Sequence, residues 1–250
     1  MSARSASRVP WVAGVDGCPG GWLVVLRPAD DASAATARLV ANFAEVLALP
    51  ERPAVIGLDM PIGLPARGTP GGRRCDVEAR ANLGQRQSAV FAVPARAAVM
   101  ETDYQRACAV AAASSDPPRK VSKQCFNLFP KIREIDALMS PALQARIFEV
   151  HPEVAFWALA GSRPLDLPKK VKSRPSPPGL ALRLGLLVAA GYDAALLEQP
   201  PARARDAGRD DLLDAAACSW TAARILAGQA RRFPDSPPLD AHGLRMEIWG

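Results

Sequence analysis

Val12-Ala-Gly-Val-Asp-Gly-Cys-Pro-Gly-Gly-Trp-Leu-Val-Val-Leu26 reads as two short apolar strands joined by a tight turn. Val12 to Val15 is the first run, Pro19-Gly20-Gly21 reverses the chain, and Trp22 to Leu26 is the second. Asp16 closes the first run just before a glycine. Alternation puts it on the face of Val12 and Gly14, and the missing side chain at Gly14 leaves backbone room beside the acid. Two readings stand: a turn cap, for which Asp is well suited, or a carboxylate placed at a strand end to hold a metal ion.

The same pattern returns downstream. Pro53-Ala-Val-Ile-Gly-Leu-Asp-Met-Pro61 is an apolar strand ended by proline, and its Gly57-Leu58-Asp59 repeats Gly14-Val15-Asp16. Asp59 alone is as readily a turn cap as a ligand. Two strands ending in one Gly-x-Asp pattern are less easily read as two caps.

Between these, Ala37 to Phe43 fits a third strand and Ala44 to Leu49 a short helix. Arg73 to Leu83 reads as a helix stopped by Gly84, Ala95 to Ala113 as helix-prone, and Phe126 to Met139 as a helix broken at Pro130. Ala145 to His151 reads as a fifth strand running into a helix that Pro152-Glu153 opens. Leu180 to Ala190 is an apolar helix. Asp210 to Leu226 is the strongest helix in the chain, and Leu244 to Trp249 fits a last edge strand. The stretch 163–179 is basic and proline-rich, and reads as an exposed loop. Residues 1–10 read as a flexible N-terminus. Strands first at hairpin spacing, then alternating with helices, predict one α/β domain with a mixed sheet and helices on its faces.

Composition sets outer limits. The net charge of +6 is compatible with a polyanionic partner but does not require one. Five scattered cysteines with no C-x-x-C pair predict reduced thiols rather than a disulfide framework or a zinc site. The N-terminus has no apolar signal core, and no apolar run approaches the roughly 20 residues of a membrane span. A cytoplasmic protein is the expectation.

Carboxylates thus stand at four element ends: Asp16, Asp59, Glu149 and the Asp210/Asp211/Asp214 cluster. Acids in a first helical turn complement the macrodipole, and Asp210 is a natural N-cap. An N-cap needs only one acid, so the cluster is open to both a capping and a functional role. His151 is open to two readings, a hydrogen-bonded packing residue or an acid–base group. Hard divalent ions bind oxygen ligands, and two of them ~3.5–4 Å apart serve phosphodiester cleavage when several carboxylates converge. Asp16, Asp59 and Asp211 are of the right type.

Gly14-Val-Asp-Gly-Cys-Pro-Gly-Gly-Trp22, Gly57-Leu-Asp-Met-Pro-Ile-Gly63, Arg74-Cys-Asp-Val-Glu-Ala-Arg80, Glu149-Val-His-Pro-Glu153 and Asp210-Asp-Leu-Leu-Asp-Ala215 follow one another in order. Together they resemble the DUF429 family, a group predicted to be nucleases of ribonuclease H-like fold. The resemblance covers Val12 to about Gly228. It implies a five-stranded mixed sheet with strands one to three as antiparallel hairpins. It also implies a site of Asp16, Asp59 and Asp211 for Mg²⁺ or Mn²⁺, two ions, with Asp214 or Glu149 as fourth ligand.

A metal-dependent nuclease acting on nucleic acid is therefore the leading expectation. Its catalytic acids would be Asp16, Asp59, Glu149, Asp211 and Asp214, its metal ligands Asp16, Asp59 and Asp211. Arg74, Arg86 and Ser88 are the expected substrate contacts, since Arg suits bidentate phosphate binding. The alternatives are an actin-like phosphotransferase or ATPase and a non-catalytic binding protein on the same scaffold. The former is disfavoured by the lack of a P-loop G-x-x-x-x-G-K-[ST]. The oligomeric state is open, a homodimer included.

Overall fold

The computed structural model describes residues 9–172 and 174–250, so most of the expected flexible N-terminus lies outside the described residues. In chain order the elements are β1 (Trp11–Cys18), β2 (Gly21–Pro28), β3 (Thr36–Val40), α1 (Phe43–Leu47), β4 (Val55–Asp59) and α2 (Arg74–Ala81). Next come α3 (Arg96–Val99), α4 (Tyr104–Ala113), α5 (Lys123–Leu138), β5 (Ile147–Glu149) and α6 (Pro152–Leu159). The chain ends with β6 (Lys170–Val171), β7 (Arg174–Pro175), α7 (Pro177–Ala189), α8 (Ala194–Glu198), α9 (Arg209–Leu226), β8 (Arg232–Phe233) and β9 (Ile248–Trp249).

Five strands form one mixed sheet in the order β3-β2-β1-β4-β5. β1, β2 and β3 are joined antiparallel, whereas β4 runs parallel to β1 and β5 parallel to β4. The expected α/β mixed sheet is therefore present. The β1–β2 turn is tight because Gly21 takes φ +131°, where a side chain would also strike the Val40 carbonyl at 2.1 Å.

Period-two alternation assigns the two faces of the sheet. Ala13, Val15, Trp22, Val24, Leu26, Ile56 and Leu58 enter one fully buried core with Phe43 of α1 and Phe129 and Ile132 of α5. Leu23 and Val25 enter a second core with Leu212, Leu213 and Ala215 of α9, Ala155 and Phe156 of α6 and Leu187 of α7. Burying each large aliphatic side chain is worth roughly 1.5–3 kcal/mol. Helices thus cover both faces.

Two helices depart from expectation. The helix-prone stretch after Ala95 splits into α3 and α4, because Asp103 accepts from the Arg106 N–H and starts a new helix. α5 runs unbroken through Pro130. Phe129 and Ile132, both fully buried, hold the helix against the sheet on either side of the proline. Trp22 adds to this grip by donating from its indole nitrogen to Glu134 Oε2 at 3.1 Å. The final strand, β9, is shorter than expected and pairs with β8 outside the main sheet, which it meets through a bridge from Trp249 to Val150 and the Trp249 ring against Phe148. Trp220 is half-buried against the core that α9 shares with Leu23 and Val25, and Arg224 lies over its ring at 4.7 Å.

α9 lies directly against β1 and β4. A Cβ at Gly14 would stand 2.0 Å from the Ala215 carbonyl and 2.1 Å from the Ser219 nitrogen, and one at Gly57 would stand 2.6 Å from the Cys218 carbonyl. The room at these glycines is filled by helix backbone, which corrects the expectation of open space beside the acids. Glycine on the strands and Ala215, Ala216 and Ala217 on the helix allow this close approach. The described cysteines Cys18, Cys75, Cys108, Cys125 and Cys218 are free and buried. Among the described residues no helix is long and apolar enough to cross a membrane.

Candidate metal centre

The close contact between α9 and the glycines decides where the acids meet. Asp16 lies two residues beyond Gly14 on β1, and Asp59 two beyond Gly57 on β4. Their Cα positions are partners across the parallel ladder. Asp214 precedes Ala215, the residue whose carbonyl fills the space at Gly14. One carboxylate oxygen from each of Asp16, Asp59 and Asp214 therefore falls within 4.8 Å of the other two, an arrangement able to hold a metal ion.

The electrostatics match an acid cluster short of positive charge. Burial, then the neighbouring carboxylates of Asp59, Asp214 and Asp211, raise Asp16 well above its ordinary value. Burial and Asp214 push Asp59 up to about 7. Burial pushes Asp214 up to about 6, against the pull of Lys169. Each shift says that full ionisation is costly here without a further cation.

The other expected acids are engaged elsewhere. Asp211 is not in the triad: its Oδ2 accepts from the Gly208 N–H at 2.8 Å and closes the first turn of α9. The acid one helical turn deeper, Asp214, reaches the strand ends in its place. Asp210 is not the N-cap but pairs with Lys170 at 2.5 Å. Glu149 is buried in an ion cluster, with Oε1 2.5 Å from Arg73 Nη2 and Oε2 accepting from the Ile62 N–H at 2.7 Å. Arg73 also pairs with Asp76 at 2.8 Å. Burial pushes Glu149 up to about 7, opposed by Arg73. Its site is structural in partners, although it borders the same cleft.

That cleft has a volume of about 390 Å³ and is lined by Asp16, Asp59, Arg86, Ser88, Glu153 and Lys169 among others. Its size is in the range of small-molecule sites. Arg86 and Ser88 thus lie where substrate contacts were expected, and Arg86 Nε is buried without a partner. Arg74 does not. Its side chain is 64% exposed and pairs with Glu78 at 2.7 Å on the outer face of α2; the preceding arginine, Arg73, is the one turned inward. Arg80, one turn beyond Asp76 on α2, donates to the Gly71 carbonyl, while Asp76 serves Arg73.

His151 is tied by both ring nitrogens. Nδ1 accepts from the Glu153 N–H at 3.2 Å, which leaves Nε2 to donate to the Ala89 carbonyl at 3.3 Å. Burial lowers its pKa to about 4. It is a neutral helix cap that anchors the Gly84–Ala89 turn, on the packing side of the two sequence readings.

Two cleft residues, Lys169 and Glu153, and the buried Arg183 behind them make contacts that the sequence does not show. Lys169 lies in the stretch expected to be an exposed loop, yet its Nζ pairs with Asp214 Oδ2. Burial works against its charge, but Asp214, Asp16 and Asp59 raise it above the ordinary lysine value. Glu153 and the fully buried Arg183 pair at 2.6 Å. Nothing local marks these contacts, because 45 residues separate Lys169 from Asp214 and 30 separate Glu153 from Arg183.

The profile of the family described as Protein of unknown function (DUF429) matches residues 14–239. The chain belongs to DUF429. Comparisons with curated proteins and with solved structures returned no match. The DUF429 match spans all three triad acids together with Arg86, Ser88, Glu153 and Lys169.

Proposed function

We propose that this DUF429 chain is a metal-dependent phosphodiester hydrolase acting on nucleic acid. The observation that carries the reading is the convergence of Asp16, Asp59 and Asp214 within 4.8 Å at one end of a mixed sheet. The strand order and the placing of these acids on β1, β4 and the last long helix support reading the fold as ribonuclease H-like.

The donor set fits Mg²⁺ or Mn²⁺. It offers only carboxylate oxygens, as hard divalent ions prefer, and Asp214 Oδ1 is buried with no hydrogen-bond partner. A divalent ion supplies charge that polarises a phosphoryl oxygen and acidifies water. The chain's own residues do the rest. Asp16, Asp59 and Asp214 would hold the cation with little motion, since their backbones are fixed by the β1–β4 ladder and the α9 contact. Arg86 and Ser88, on the Gly84–Ala89 turn, line the same cleft and would supply the contacts to a substrate phosphate. His151 is no general base, because both of its nitrogens are occupied. The net charge of +6 is compatible with a polyanionic substrate.

The test is cleavage of single-stranded and duplex DNA and RNA oligonucleotides with Mg²⁺ or Mn²⁺, comparing the wild type with Asp59→Asn. Metal-dependent cleavage that the variant loses is expected. Cleavage unchanged in the variant, or no cleavage of any of the four substrates, contradicts the reading.

A further inference from the structure

The triad alone does not account for Lys169. Its Nζ pairs with Asp214 Oδ2, and its side chain is 28% exposed, compared with 44% for the neighbouring Lys170. The lysine is held there by its backbone. The Lys169 carbonyl accepts from the Ser176 N–H at 2.8 Å, and the Leu167 carbonyl accepts from Arg183 Nη1 at 3.0 Å. A Cβ at Gly179 would sit 1.8 Å from the Pro168 carbonyl, so the start of α7 rests directly on this segment. A buried arginine, a glycine contact and a main-chain hydrogen bond together aim one ammonium at one carboxylate.

The groups that would bind a second metal ion are meanwhile occupied. Asp211 caps α9, Asp210 pairs with Lys170, and Glu149 is held by Arg73 and the Ile62 N–H. Glu153 keeps one unpartnered oxygen, Oε2, but its charge is matched by Arg183. The three triad carboxylates against the one Lys169 ammonium leave two negative charges, which one divalent ion balances. Asp214, only 2% exposed, divides its two oxygens accordingly: Oδ2 serves Lys169 and Oδ1 has no partner.

We propose that this site takes one divalent ion and that the Lys169 ammonium is its second, built-in cation, so that a phosphoryl group meets one ion and one lysine. The inference rests on the metal-dependent reading given above and fixes its metal count.

The experiment is Mn²⁺ binding by calorimetry and by electron paramagnetic resonance, without substrate, on the wild type, Lys169→Met, Lys169→Arg and Lys172→Met. The wild type is expected to bind one ion. Lys169→Met is expected to bind Mn²⁺ about tenfold more tightly or to admit a second ion, because a nearby positive charge no longer opposes it. Lys169→Arg and Lys172→Met are expected to keep wild-type stoichiometry and affinity. Two ions in the wild type, or unchanged binding in a folded Lys169→Met, overturns the proposal while leaving a metal-dependent enzyme intact. Should Lys169→Met not fold, the wild-type stoichiometry and Lys169→Arg decide. No binding in any variant removes the metal-dependent reading itself, and this proposal with it.

Discussion

Asp16 and Asp59 occupy the same rung of the parallel β1–β4 ladder, as direct Cα partners on the face that α9 covers. Two like charges held that close, under a helix and out of water, keep protons that free carboxylates would release.

A stability signature follows from Asp59, whose folded value of about 7 lies far above its ordinary 3.8. Between those values the folded state keeps a proton that the unfolded state gives up, so this group lowers stability as pH rises towards 7. Asp59→Asn lacks the titration. In metal-free buffer its melting temperature should gain on the wild type from about pH 4 to about pH 7 and level off above. A gap that is constant or shrinks over that range contradicts the assignment.

Metal affinity should run the other way with pH. Protons compete with the ion for Asp59 and Asp214, whose values are about 7 and about 6. Mn²⁺ binding is expected to strengthen steeply on raising the pH through that window and to level off above it. Titrations at several pH values measure this directly.

The glycine contacts predict a different kind of damage. Gly14→Ala must push α9 off β1, because its Cβ would meet helix backbone rather than a flexible side chain. Overpacking of this sort costs roughly 1–3 kcal/mol or more. Denaturant unfolding should show that loss, and metal binding should weaken with it as Asp214 moves away from Asp16.

Arg73 and Arg74 separate structure from surface. Arg73→Met leaves Glu149 and Asp76 buried without their cation, a change worth roughly 3–5 kcal/mol. Arg74→Ala removes only an exposed pair with Glu78 and should shift stability by less than about 0.5 kcal/mol. Equal effects of the two substitutions on unfolding would contradict the described ion cluster.

The sheet was legible because its signals are local. Val12 to Leu26 carries its own alternation and turn, and Gly-x-Asp marks both strands that end at the site. The apolar period of Asp210 to Leu226 likewise announces α9. Asp16 and Asp59 could be chosen as partners for the same reason. The choice between Asp211 and Asp214 could not, since both lie on one helix face and only the seating of α9 on Gly14 separates them. Lys169 was unreadable for a stronger reason: its surroundings are basic and proline-rich, and its partner arrives from a helix 45 residues on. The room inferred beside Gly14 was real but misassigned, because sequence shows that a side chain is absent and not what fills the space.

The central claim is that Asp214, with Asp16 and Asp59, holds a divalent ion, while Asp211 is a helix cap. Calorimetric Mn²⁺ titration of the wild type, Asp214→Asn and Asp211→Asn at a pH above about 7 tests it most directly. Binding that persists in Asp211→Asn and is lost in a folded Asp214→Asn is the predicted result. Loss in Asp211→Asn with retention in Asp214→Asn would contradict the account.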